Sequence, residues 1–208
     1  MQFLLKNSFK TFKLYLWKID ESEKELEKGV LINESLRKKL DNCKSKEHRK
    51  GILSVRQLMK IANIKEREFY YDSNGVPNLR YGKHISISHS KYLSGIILSD
   101  FQIGIDIESY REKILKIGPK FIHIKETSAL GKLEELTFIW TAKEAIYKAF
   151  CKPGISFSEQ ININKPYNPK KASSATVFYN NKYNLYNLIS FRLDSHIVTI
   201  AQEKITFD

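Results

Sequence analysis

Cysteine is scarce in this 208-residue chain, which has only Cys43 and Cys151. Far apart in sequence, they provide neither a disulfide framework nor a four-ligand zinc site. A reducing, cytoplasmic setting is the expectation. Long apolar runs are also missing. Stretches such as Ile96-Ile97-Leu98 are far too short to span a bilayer, so no membrane partner is expected. Residues 1–10 mix Phe3, Leu4 and Leu5 with Lys6 and Lys10, and no signal-peptide core follows. No low-complexity linker or tight repeat interrupts the chain. What is present is an ordinary globular balance, 42% hydrophobic and 28% charged, enough for one large domain or two small ones. The excess is positive: 35 basic against 23 acidic side chains give a net charge of +12. Such a surface suits a polyanion, an acidic protein or a phosphate-rich small molecule, and equally a set of solvated lysine-rich helices.

The hydrophobic pattern predicts a mixed α+β chain. Residues 11–19 read as a buried strand, and 20–28 as a short exposed helix capped by Asp20 or Ser22. Residues 33–62 are helical in character, with one glycine, Gly51, and an apolar stripe at Ile52, Val55, Leu58, Met59 and Ala62. Asp72-Ser73-Asn74-Gly75 signals a turn, with Pro77 marking irregular chain. Strands follow at 84–88, 94–98 and 102–108. A mixed basic stretch runs from 109 to 133. A helix then spans about 133–150 and stops at Lys152-Pro153-Gly154. The remainder reads as short strands at 156–163, 175–179, 188–193 and 197–202. Helix-then-strands occurs twice, before and after residue 100, which hints at two similar α+β halves, 1–100 and 101–208.

Three segments carry possible chemistry. In Gly104-Ile105-Asp106-Ile107-Glu108, the isoleucines point to one side of a strand and Asp106 and Glu108 to the other. Two carboxylates about 6–7 Å apart are either hydrated or share a cation. On the 133–150 helix, Trp140, Glu144 and Lys148 form one i, i+4, i+8 stripe. Lys143 falls within the apolar arc of Leu136, Ile139, Trp140, Tyr147 and Phe150. A lysine there must snorkel outward or face a polar cavity. If Glu144 meets Asp106 and Glu108, three carboxylates without His or Cys suit Mg²⁺, with lysines beside it to neutralise phosphate. In Ile85-Ser86-Ile87-Ser88-His89-Ser90, hydroxyls and an imidazole at a strand end are reasonable phosphate donors. No Gly-x-Ser-x-Gly elbow supports a hydrolase triad.

Gly104–Glu108 followed by Trp140-Thr141-Ala142-Lys143-Glu144-Ala145-Ile146-Tyr147-Lys148 resembles the signature pair of 4′-phosphopantetheinyl transferases. Ser86–Ser90 resembles the serine–histidine–serine motif that precedes the pair in the longer, surfactin-synthetase-activating type. Lys46-Glu47-His48-Arg49-Lys50 and the Gly75-Val76-Pro77 turn fall where that type has His-Arg and Gly-Lys-Pro. The resemblance implies a pseudo-two-fold pair of α+β halves with coenzyme A in the cleft between them. It also implies transfer of the phosphopantetheine arm to a serine of a carrier protein, leaving 3′,5′-ADP. By the same resemblance Asp106, Glu108 and Glu144 would ligate Mg²⁺, and Glu144 would help take the serine proton. Lys148 would steady phosphate charge. Ser88, His89 and Arg49 would hold coenzyme A phosphates, and Lys143 would line the same cavity. Val76 stands where the family often has lysine, so a nucleotide contact is missing or made elsewhere, with Arg37, Lys38 and Lys39 as candidates. Residues 109–133, with Arg111, Lys113, Lys116, Lys120, Lys125 and Lys132, lie where relatives contact their acidic acyl or peptidyl carrier proteins. An internal pseudo-dimer makes a monomer the natural expectation.

Three rivals are weighed against this. A Mg²⁺-dependent nuclease usually places Glu and Lys two apart on a strand, whereas Glu144 and Lys148 are four apart on a helix. A nucleic-acid-binding module has the charge but no recognised motif, so no nucleic-acid partner is expected. A degenerate relative that binds coenzyme A without turnover is disfavoured by the intact acids and Lys148.

Overall fold

The computed structural model describes residues 11–204, together with the backbone of a strand at Phe3–Ser8. The side chains of residues 1–10, read above for a targeting signal, lie outside the described residues. The chain divides into two compact units, Met1–Asp100 and Phe101–Asp208.

The first unit is an antiparallel sheet in the order β1-β2-β6-β5, formed by β1 (Phe3–Ser8), β2 (Phe12–Lys18), β5 (His84–His89) and β6 (Leu93–Ser99). Helix α1 (Glu23–Glu27) starts at Ser22, whose hydroxyl accepts from the Glu25 amide while the Glu25 carboxylate accepts from the Ser22 amide. Residues 33–62 are two helices rather than one continuous element: α2 (Glu34–Asp41) and α3 (Lys46–Ile61). The break has a local cause. Ser45 accepts from the His48 amide and opens a new helix, as Asn33 does for α2 through the Leu36 amide. Buried Leu53, Leu58 and Met59 of α3 pack with Tyr15, Trp17 and Ile96. The segment around Pro77 is more regular than expected. It forms a small hairpin of β3 (Phe69–Tyr71) and β4 (Pro77–Leu79), with Pro77 at a strand start, where its missing N–H is tolerated.

The second unit is a five-stranded antiparallel sheet in the order β7-β11-β10-β9-β8: β7 (Ile103–Ser109), β8 (Ile161–Ile163), β9 (Ser173–Tyr179), β10 (Lys182–Leu193) and β11 (His196–Glu203). Helix α5 (Leu133–Phe150) lies across β7 and β11. The 109–133 stretch contains a helix, α4 (Lys113–Phe121), and a 3₁₀ turn at Ile124–Ala129. Pro119 and the high lysine content hid the helix in the sequence, although Ile114, Gly118 and Phe121 give it a buried face. Helix α5 is buried on more sides than one arc predicts. Leu136, Phe138, Ile139, Ala142, Ala145 and Ile146 are fully enclosed, while Tyr147 is exposed. It stops at Cys151, which adopts the left-handed conformation (φ 52°).

Gly104 sets the distance between β7 and α5. A Cβ at this position would stand 1.9 Å from the Ala145 carbonyl oxygen and 2.7 Å from the Ala149 nitrogen. These obstacles are helix backbone, which has no side chain to swing aside. Gly104→Ala is therefore expected to cost about 2–3 kcal/mol in chemical denaturation. A loss below about 0.5 kcal/mol would show that the close approach is dispensable.

Candidate active site

The face of β7 that carries Gly104 also carries Asp106 and Glu108, since side chains two apart share a side. The opposite face holds Ile103, Ile105 and Ile107, all buried. The Gly104 contact turns the acidic face toward α5, and the polar stripe of α5 meets it there. Lys148 Nζ lies 2.7 Å from Asp106 Oδ1 and donates to the Ile105 carbonyl at 3.1 Å. One turn earlier is Glu144, and another turn earlier Trp140 donates its indole N–H to Glu108 Oε1 at 3.3 Å. The structure thus brings Asp106, Glu108, Glu144 and Lys148 together at the β7–α5 junction.

Crowding three acids in a half-buried place has an electrostatic consequence. Burial, reinforced by the charges of Asp106 and Glu108 and opposed by Lys148, raises the Glu144 pKa to about 7. Burial and Asp106 also push Glu108 upward, against Arg111 and the Trp140 hydrogen bond. A raised carboxyl pKa means that the folded chain holds this proton more tightly than the unfolded one. Glu144's contribution to stability is thus complete below pH ~4.3 and is lost as pH rises toward about 7. Any cation binding here must displace that proton, so apparent affinity should climb with pH and level off above about 7. Titrating Mn²⁺ at a series of pH values checks this; a pH-independent affinity between pH 5 and 8 would contradict it.

The acids do not stand open. Asp106 is turned to Lys148, and Glu108 Oε2 accepts from Arg111 Nη2 at 2.6 Å. Among the described residues, no group of three or more His, Cys, Asp or Glu side chains is arranged to hold a metal ion. The donor chemistry nonetheless suits a hard divalent cation: only carboxylates are offered, and their mutual repulsion is incompletely offset by the lysine. Beside Glu108 a cavity of about 210 Å³ is lined in part by Ser109, Arg111, Lys113, Ile114 and Trp140.

Lys143 is not part of this cluster, which corrects the expectation that it lines the coenzyme A cavity. Its side chain is 0% exposed and paired at 2.7 Å with Glu126, itself 0% exposed. The carbonyls of Phe121, Phe157 and Ile161 surround the ammonium at 2.7–2.9 Å. Glu126 in turn accepts from the amides of His123 and Ile163. Burial pulls the Lys143 pKa down to about 8, against the pull of Glu126. Sequence reading missed Glu126 because it sits in a basic stretch. The signal was its place three residues after His123, whose side chain caps the 3₁₀ turn.

In the first unit, Ser88 is buried and His89 half-buried at the end of β5. His89 makes an edge-to-face contact with His48 at 4.9 Å. Gly51 leaves room for the imidazole: a Cβ there would be 2.5 Å from His89 Nδ1. Arg49, one residue past His48, turns to the neighbouring helices instead. Its Nε lies 2.6 Å from Glu23 Oε1, and Nη1 donates to the Leu40 carbonyl at 2.6 Å.

Comparison with known proteins agrees with the motif pair. Residues 102–201 match the 4′-phosphopantetheinyl transferase superfamily. Over 141 residues the chain is 28% identical to the 4′-phosphopantetheinyl transferase gsp of Aneurinibacillus migulanus, covering 64% of this chain and 57% of that protein. The match thus spans little more than half the length of that relative. The segment that holds β7, α5 and the acid–lysine cluster is thus the part of the chain that is similar to the 4′-phosphopantetheinyl transferase superfamily.

Proposed function

We propose that the chain transfers the 4′-phosphopantetheine arm of coenzyme A to a serine hydroxyl of an apo carrier protein, releasing 3′,5′-ADP. The observation that carries this reading is the 2.7 Å contact between Lys148 and Asp106, which joins the two halves of the signature at one place with Glu144 beside them. In the reaction the serine oxygen forms a bond to the phosphorus bearing the pantetheine. The bond from that phosphorus to the bridging oxygen breaks, and 3′,5′-ADP departs with the electron pair. Glu144 takes the serine proton, a task suited to a carboxylate poised near neutral pH. Lys148, already fixed by Asp106 and the Ile105 carbonyl, faces the charge that develops on the phosphate oxygens. Mg²⁺, held by Asp106, Glu108 and Glu144, would screen the pyrophosphate.

Ser88, His89 and Arg49 are assigned to coenzyme A phosphates by the resemblance. For Arg49 the assignment requires sharing its guanidinium with Glu23. The acceptor surface we assign to α4 and the turn after it. There exposed Leu115, Ile124 and Leu130 stand among exposed Lys113, Lys116, Lys120 and Lys125, a surface suited to an acidic carrier. We assign a monomer acting in the cytoplasm, a reading that the scarcity of cysteine supports. The test is mass spectrometry of apo carrier proteins incubated with the chain, coenzyme A and Mg²⁺. A gain of one phosphopantetheine is expected; no gain across fatty-acid, polyketide and peptide-synthetase carriers would refute the proposal.

A further inference from the structure

Glu108 has a partner on each oxygen: Trp140 on Oε1 and Arg111 on Oε2. The two partners differ in mobility. Trp140 is wedged between Phe121 and Phe157, with ring centroids 4.9 and 5.7 Å away. The Arg111 side chain is 63% exposed and leaves the strand three residues after Glu108. Lys148, the other cation of the cluster, is 28% exposed and has two acceptors, so it is held where it is.

We propose that Arg111 is a built-in counter-ion that occupies Glu108 until a divalent cation displaces it. This rests on the cation site proposed above and names the residue that opens it. The physical argument is competition. The arginine side of the pair is largely exposed, so the pair is weak and yields to a divalent ion at small cost, whereas the part-buried indole contact continues to orient the carboxylate. Once displaced, the guanidinium remains on the wall of the cavity beside Glu108, where its planar fork is available to a phosphate group.

Calorimetric titration of the full chain with Mn²⁺ alone, at pH 8, tests the proposal. Arg111→Ala should bind Mn²⁺ about two- to fivefold more tightly than the unsubstituted chain, the size expected for loss of an exposed competing pair. Lys113→Ala removes a positive charge from the same cavity wall without touching Glu108, and should change affinity by less than about 1.5-fold because it acts only through screened solvent. Arg111→Lys, which keeps the charge but loses the fork, should fall between the Ala variant and the unsubstituted chain. Equal or weaker binding by Arg111→Ala, or an equal gain in Lys113→Ala, overturns the role of Arg111 and leaves the cation site standing. Absence of Mn²⁺ binding in every variant overturns both.

Discussion

Replacing Lys143 with methionine is expected to destabilise the second unit by about 3–5 kcal/mol. Methionine fills the volume but leaves the Glu126 carboxylate buried without its cation, and strands three carbonyls that the ammonium now satisfies. Those carbonyls belong to the end of α4, the loop at Phe157 and the start of β8, so one side chain ties three segments to α5. Adding Glu126→Gln should recover part of the loss by removing the unpaired charge. The recovery stays incomplete, because the amides of His123 and Ile163 also depend on the carboxylate. Chemical denaturation of the single and double variants measures both effects. A single-variant loss below about 1 kcal/mol would mean that water or another group replaces the pair.

Glu144→Gln should have the opposite profile. Transfer is expected to fall about 10³-fold, as for loss of a general base that also helps hold a cation. Stability at pH 8 should not fall, because the amide removes a charge that Asp106 and Glu108 repel. Activity lost without stability lost is the mark of a group held in place for chemistry rather than for packing. Turnover above a tenth of the unsubstituted rate would remove Glu144 from its assigned role. A drop in thermal midpoint would show that its charge is structural.

Much of this arrangement was legible in the sequence because it depends on local periodicity. Alternation placed Asp106 and Glu108 on one face of β7, and the four-residue spacing of Trp140, Glu144 and Lys148 placed them on one stripe of α5. What was not legible depends on contacts between distant residues. Lys143 looked like a lysine facing a cavity because its partner, Glu126, lies 17 positions earlier in a stretch dominated by basic residues. The α2–α3 break was written in Asp41-Asn42-Cys43 and in the Ser45 cap, but without Pro or Gly there it is a weak signal beside the helical pattern on either side. Helix α4 was hidden by Pro119, which the helix accommodates close to its end at Phe121. Gly104 belongs to the recognised motif, yet only the three-dimensional approach of the Ala145 carbonyl explains why a side chain is excluded there.

On the proposed function the acids of β7 and of α5 act as a single unit, and a double-mutant cycle in the transfer assay tests this. Asp106→Asn and Glu144→Gln are each expected to remove nearly all activity, and the double variant to lose little beyond either, as happens when residues serve one step together. Losses that multiply in the double variant would mean that the two carboxylates work independently, and the account of a shared site would fail.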